Sequence, residues 1–91
     1  MKLQYTKDAN ADLLHIYKYI AKDSQASAIR VLTVIKVLVE HLPALPYMGK
    51  QTNKKDVYCI ISGKYPYKIF YRLLLDKQEV HILHITHTSK V

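Results

Sequence analysis

The stretch YPYKIFYRLLL at residues 65–75, followed across Asp76, Lys77 and Gln78 by EVHILHITHTSKV at residues 79–91, decides the fold of this chain. Tyr67, Ile69, Tyr71, Leu73 and Leu75 alternate with Lys68, Phe70, Arg72 and Leu74. Successive side chains of a strand point to opposite faces, so the segment reads as one strand with an apolar face and a basic, aromatic one. The three-residue connection is a tight turn, and residues 79–86 return as the last strand of a hairpin. Upstream, VYCII at residues 57–61 is β-branched and apolar on both parities, as in a strand covered by helices on one side and partly buried on the other. Gly63 and Pro66 bracket the turn that joins it to the hairpin.

Before residue 57 the period changes. Residues 1–6 alternate Leu3 and Tyr5 with Lys2, Gln4 and Thr6, which predicts a short edge strand. Thr6 or Asp8 then caps a helix whose apolar stripe is Leu13, Ile16, Tyr17 and Ile20, ending near Lys22. Asp23 or Ser24 caps a second helix, with Ala28, Val31, Leu32, Ile35, Leu38, Val39 and Leu42 on one stripe until Pro43 and Pro46 stop it. Residues 43–55 read as a loop punctuated by Pro43, Pro46 and Gly49 and charged by Lys50, Lys54 and Lys55. The expected architecture is α+β: an N-terminal strand, an α-helical hairpin, then a three-stranded antiparallel meander. They form one sheet, covered on one face by the helices and free on the other.

A chain of 91 residues, 49% hydrophobic, with only two Gly and three Pro, is expected to fold as a single ordered domain over residues 1–91. Fourteen Lys and Arg against seven Asp and Glu give a net charge of +7. From Pro46 onward there are eight basic residues against three acids, and before it six against four. This excess fits a polyanionic partner, and it equally fits a merely solubilising surface. Cys59 is the single cysteine and sits in an apolar run, so an inert thiol and a reducing compartment are expected. The N-terminus lacks the apolar run of a signal peptide, and no segment is long and apolar enough to span a bilayer, so the expected location is cytoplasmic.

Few chemistries are compatible with the residues present. His81, His84 and His87 lie on a strand, where period two puts His81 and His87 on one face about 20 Å apart and His84 on the other, so they do not close around a metal. There is no Gly-rich phosphate loop and no nucleophile elbow, and no cofactor is expected. What remains is metal-independent phosphodiester chemistry. Attack by an RNA 2′-hydroxyl needs a proton acceptor, a proton donor and fixed positive charge on the phosphate. Lys68 and Arg72 share a strand face about 13 Å apart, suited to neighbouring phosphates. His87 is an imidazole, a side chain that works near neutral pH, and Lys90 follows it. Tyr65, Tyr67 and Tyr71 are of a type that stacks bases, although most tyrosines here have a packing role. Lys50, Lys54 and Lys55, with Arg72, are candidate contacts to a target or nucleic acid. On an exposed face all of these are also ordinary solvated charges.

Ala9, Asp12, Leu13, Ile16, Tyr19, Ile20 and Ala21 form the pattern A-x-x-D-L-x-x-I-x-x-Y-I-A; Leu42, Pro46 and Gly49 follow, then YPYKIFY and ILHITHTSK. Together these resemble the RelE/ParE toxin superfamily, of the kind often labelled plasmid stabilisation proteins, along essentially the whole chain. The resemblance implies the same α+β fold, a cognate antitoxin protein as partner, and one of two activities. ParE-like members block DNA gyrase, and RelE-like members cleave mRNA on the ribosome. The family's basic motif residues fall on Lys68 and Lys90, where Arg is usual, and its H-x-x-R ending on His87 and Lys90. Lys lacks the bidentate fork of Arg, so phosphate recognition there would be weaker. The paired lysines of the ribosome-dependent branch fall at or near Cys59 and Ile61, and the chain ends at Val91 before the C-terminal tyrosine. The expected function is therefore a type II toxin that blocks gyrase. The alternatives are a ribosome-dependent mRNA endonuclease and a non-toxic basic module that binds nucleic acid or protein.

Overall fold

The computed structural model describes residues 1–88. Its elements run β1 (Lys2–Tyr5), α1 (Lys7–Ala21), α2 (Gln25–Glu40), β2 (Lys50–Gln51), β3 (Val57–Ile61), β4 (Tyr67–Leu74) and β5 (Glu79–His87). Thr6 caps α1 by accepting the Ala9 N–H at 3.2 Å, and Ser24 caps α2 by accepting that of Ser27 at 3.1 Å. Among the described residues no helix is long and apolar enough to cross a membrane.

The sheet has five strands in the order β1-β5-β4-β3-β2, not a three-stranded meander beside an edge strand. Two differences account for this. Lys50–Gln51 pairs with Cys59 and Tyr58 as β2, inside the stretch read as a loop. Two residues are too few to show a period, so their polarity and neighbouring Gly49 outweighed them. At the other edge β1 runs parallel to β5, with Leu3 opposite Val80 and Tyr5 opposite Ile82. The helical hairpin carries the chain away between these two strands, which makes a parallel pairing reachable.

One apolar layer joins helices to sheet. Ala9, Leu13, Val31, Ile35, Val39 and Leu42 from the helical half pack with Tyr67, Ile69, Tyr71, Leu73, Val80, Ile82 and Ile85 from the sheet. The alternation in β4 is the expected one, with Tyr67, Ile69, Tyr71 and Leu73 buried and Lys68, Phe70, Arg72 and Leu74 on the other side. In β5 the alternation breaks. Phe70 pairs with His84 but Tyr71 pairs with Ile82, so Leu83 is an extra residue, a β-bulge. The bulge lets Val80, Ile82 and Ile85 all enter the core. It also overturns the expected histidine faces: His81 and His84 share the free face, opposite Arg72 and Phe70, while His87 stands opposite buried Tyr67 on the helix side.

Candidate functional site

Residues paired across strands share a face, so the register maps the side of the sheet that the helices leave open. One row runs Lys50, Cys59, Phe70, His84; the next runs Val57, Arg72, His81, Gln4. On the other side of Phe70 lies Ile61, Lys68, Thr86. Along β4 this gives Lys68, Phe70 and Arg72, an aromatic ring with a cation two residues to either side.

A turn at the end of β2 closes over part of this face. Thr52 is its organiser: its hydroxyl donates to the Val57 carbonyl at 2.8 Å and accepts the Lys54 N–H at 3.2 Å, and its own N–H reaches Val57 at 2.9 Å. Asp56, at φ 61°, turns the chain into β3, and its carbonyl accepts the Leu73 N–H at 3.0 Å. The result is a cleft of about 360 Å³ whose walls include Thr52, Asn53, Lys54, Arg72 and His84 and whose apolar lining is Val57, Phe70 and Leu83. Among the described residues the ion pairs all involve histidine: His81 with Glu79 at 2.8 Å, and His84 with Asp12 at 3.2 Å and Asp8 at 3.8 Å. Lys54, Lys68 and Arg72 have no carboxylate partner there.

The expected site residues are thus divided. Lys50, Lys54, Lys68 and Arg72 lie on the free face or its rim, whereas Lys55 is exposed on the turn and does not line the cleft. His87 lies on the opposite face from Lys68. It meets the Tyr67 ring edge-on, centroids 5.1 Å apart, and lines a second cavity of about 560 Å³ with Asp12, His15 and Tyr19 of α1. Among the described residues that cavity has two imidazoles and no Lys or Arg in its lining. Lys90 lies outside the described residues. Cys59 is half-buried on the free face and not fully enclosed. Burial pushes its thiol up from the ordinary value, with nearby Lys68 and a backbone hydrogen bond to Ile69 pulling the other way, so it stays a thiol at neutral pH.

Sequence reasoning assigned nothing to His84 or Thr52, yet both line the cleft. The sign of His84's place was available only through the bulge, which reverses strand parity and leaves no mark in composition. Thr52 had a weak signal, a hydroxyl residue two positions before Lys54 in a turn.

The sequence profile of the family described as "ParE toxin of type II toxin-antitoxin system, parDE" matches residues 3–91. No curated protein matches the chain in sequence. Among solved structures, the chain is similar to one of the chromosomal ParDE toxin-antitoxin system from P. aeruginosa, with 26% identity, a TM-score of 0.82 and coverage of 96% of this chain and 95% of that one. It shares its fold with a chain of the Mycobacterium tuberculosis RelBE2 toxin-antitoxin complex, at 20% identity, TM-score 0.72 and coverage of 94% and 95%. The same holds for a chain of the intact Escherichia coli RelBE complex, at 18% identity, TM-score 0.65 and coverage of 98% of each. With a profile that spans nearly its whole length and a fold that matches throughout, this chain belongs to the ParE toxin family, within the RelE/ParE superfamily of type II toxin-antitoxin systems.

Proposed function

We propose that the protein is the growth-arresting toxin of its module, that a cognate antitoxin neutralises it, and that it acts by a ParE-like block of DNA gyrase. The observation that carries this reading is the separation of Lys68 from His87 by the thickness of the sheet. Metal-free cleavage of RNA needs acid, base and phosphate-binding cation around one bond. Here Lys68 has Thr86 and Ile61 as its cross-strand neighbours, neither of which moves a proton near neutral pH. Among the described residues, the cavity that His87 and His15 line has no Lys or Arg in its wall. On the free face His81 is held by Glu79, and His84, which lines the cleft with Lys54 and Arg72, is held by Asp12. Similarity to chains from ParDE and RelBE complexes supports an antitoxin as partner, and the ParE profile supports the gyrase branch.

Induced expression without an antitoxin, followed by assay of the purified toxin, tests the proposal. The expected outcome is growth arrest with inhibited gyrase supercoiling and intact mRNA. Rapid cutting of ribosome-bound mRNA, abolished by Lys68→Ala or His87→Ala, would establish the endonuclease instead. Harmless expression together with unaffected gyrase would leave only the non-toxic binding module.

A further inference from the structure

We propose that the loop Leu45-Pro46-Tyr47-Met48, between α2 and β2, is the anchor by which the toxin engages gyrase, with Tyr47 filling an acid-rimmed pocket on that enzyme. This rests on the gyrase reading above and names the contact that reading leaves open. Three of these four consecutive apolar residues are exposed, Leu45 by 55%, Tyr47 by 61% and Met48 by 39%. Single exposed apolar side chains are ordinary, whereas a contiguous group marks an interaction site. Tyrosine is also among the residues that most often dominate the energy of a protein interface.

The loop holds these side chains out in one conformation. The Leu45 N–H donates to the His41 carbonyl at 2.9 Å, and the Met48 N–H to that of Leu45 at 3.2 Å. Pro43 and Pro46 fix their own φ, and the Tyr71 hydroxyl ties the Pro46 carbonyl to the Gly49 N–H. The Tyr47 ring meets Tyr58 edge-on with centroids 5.7 Å apart, and Tyr58 in turn stacks on Tyr71. A tyrosine so exposed and yet so held loses little freedom on binding.

Charge and shape select the partner. From His41 to Lys55 the chain carries Lys50, Lys54 and Lys55 and no acid, and none of the three has a carboxylate partner among the described residues. A second copy would bring two such edges together in a chain of net charge +7, so the complementary surface is acidic and belongs to another protein. Neither cavity described above includes a residue of the loop. The loop is therefore a knob, and a knob needs a preformed pocket on a folded partner, not a flexible segment that wraps.

The test titrates full-length toxin, released from its antitoxin, into a gyrase supercoiling assay and, carrying a fluorophore, against gyrase across a salt series. Tyr47→Ala should raise the inhibitory concentration and the Kd by about thirtyfold, as loss of an interface anchor does. Leu45→Ser should cost about fivefold, and Tyr47→Phe, which keeps the ring, less than about threefold. Lys50→Glu should slow association about tenfold and flatten its salt dependence. Ile29→Ser, on α2 and as exposed as Leu45, should change nothing. Circular dichroism checks folding, and Leu45→Ser and Lys50→Glu leave the Tyr47–Tyr58 contact in place if Tyr47→Ala lowers stability. Full inhibition by Tyr47→Ala and Leu45→Ser would overturn the anchor while leaving the gyrase reading intact. An Ile29→Ser loss as large as that of Tyr47→Ala would overturn it as well. Weakened antitoxin binding by Tyr47→Ala with inhibition untouched would give the loop to the antitoxin. Failure of the unaltered toxin to inhibit gyrase would remove both readings.

Discussion

The hydroxyl of Tyr71 holds down the loop that leads from α2 into the sheet. It accepts the Gly49 N–H at 2.9 Å and donates to the Pro46 carbonyl at 2.8 Å, while its ring stacks on Tyr58 with centroids 5.7 Å apart. Tyr71→Phe keeps the packing and strands both backbone groups, so urea denaturation should show a loss of about 1–3 kcal/mol. Gly49→Ala attacks the same contact from the other side. A β-carbon there would lie 2.7 Å from the Cys59 carbonyl oxygen and 2.8 Å from the Tyr71 hydroxyl. The carbonyl belongs to the β2–β3 ladder and cannot retreat, so a loss of about 1–3 kcal/mol is expected again. Because the two changes share one contact, the double variant should lose less than the sum. Lys68 is testable through Cys59. Its charge opposes the effect of burial on the thiol, so Lys68→Ala should leave less thiolate at pH 8 and slow alkylation by iodoacetamide; an unchanged rate would contradict that coupling.

At the level of elements, the start of α1 is stitched to the bulged part of β5. The Thr6 hydroxyl donates to the Ile82 carbonyl at 2.7 Å and sits 3.2 Å from that of Leu83 while capping the helix. Nearly two turns on, Asp12 accepts the Ile85 N–H at 2.9 Å. β1 ends opposite Ile82, so from there α1 takes over the open edge of β5. Thr6→Ala should cost about 1–2 kcal/mol through the lost cap, whereas Thr6→Ser should recover most of it. Asp12→Ala leaves the Ile85 N–H without its acceptor, a loss of about 1–3 kcal/mol; Asp12→Asn retains an acceptor and should lose less, as thermal melts would show. The helices, the long strands and the faces of β4 were legible in the sequence because each shows its period over several residues. The caps were legible to within two residues each, Thr6 or Asp8 and Asp23 or Ser24, and the structure uses the hydroxyl of each pair. The parallel partner of β1 and the two-residue β2 were not, since pairing is a property of two distant segments. The same holds for the site: Lys68, Arg72 and Lys54 were found by type, but the single extra residue Leu83 moved His87 to the far face and brought His84 forward.

The whole molecule is layered, with helices over a tyrosine-rich apolar sheet face and most of the basic excess in the half that carries the open face. That layering fixes how stability responds to alkali. Burial is the main cause that raises the hydroxyls of Tyr67 and Tyr71 above their ordinary value of 10.0, with Tyr19 adding to the effect at Tyr67. The unfolded chain releases these protons first as pH rises, so above about pH 10 it binds fewer protons than the folded one. Stability is then fully retained from these groups below pH 10 and falls as pH climbs toward the folded values, by up to about 1.4 kcal/mol per pH unit for each tyrosine. Denaturation midpoints measured from pH 8 to 12, alongside tyrosinate absorbance, should show a plateau and then this decline. Tyr67→Phe removes one titrating group while leaving the ring that meets His87, so the decline should become shallower. A slope identical to that of the unaltered chain would mean that Tyr67 ionises in the folded state as it does in water, and that the cavity beside α1 is wet enough to solvate a phenolate.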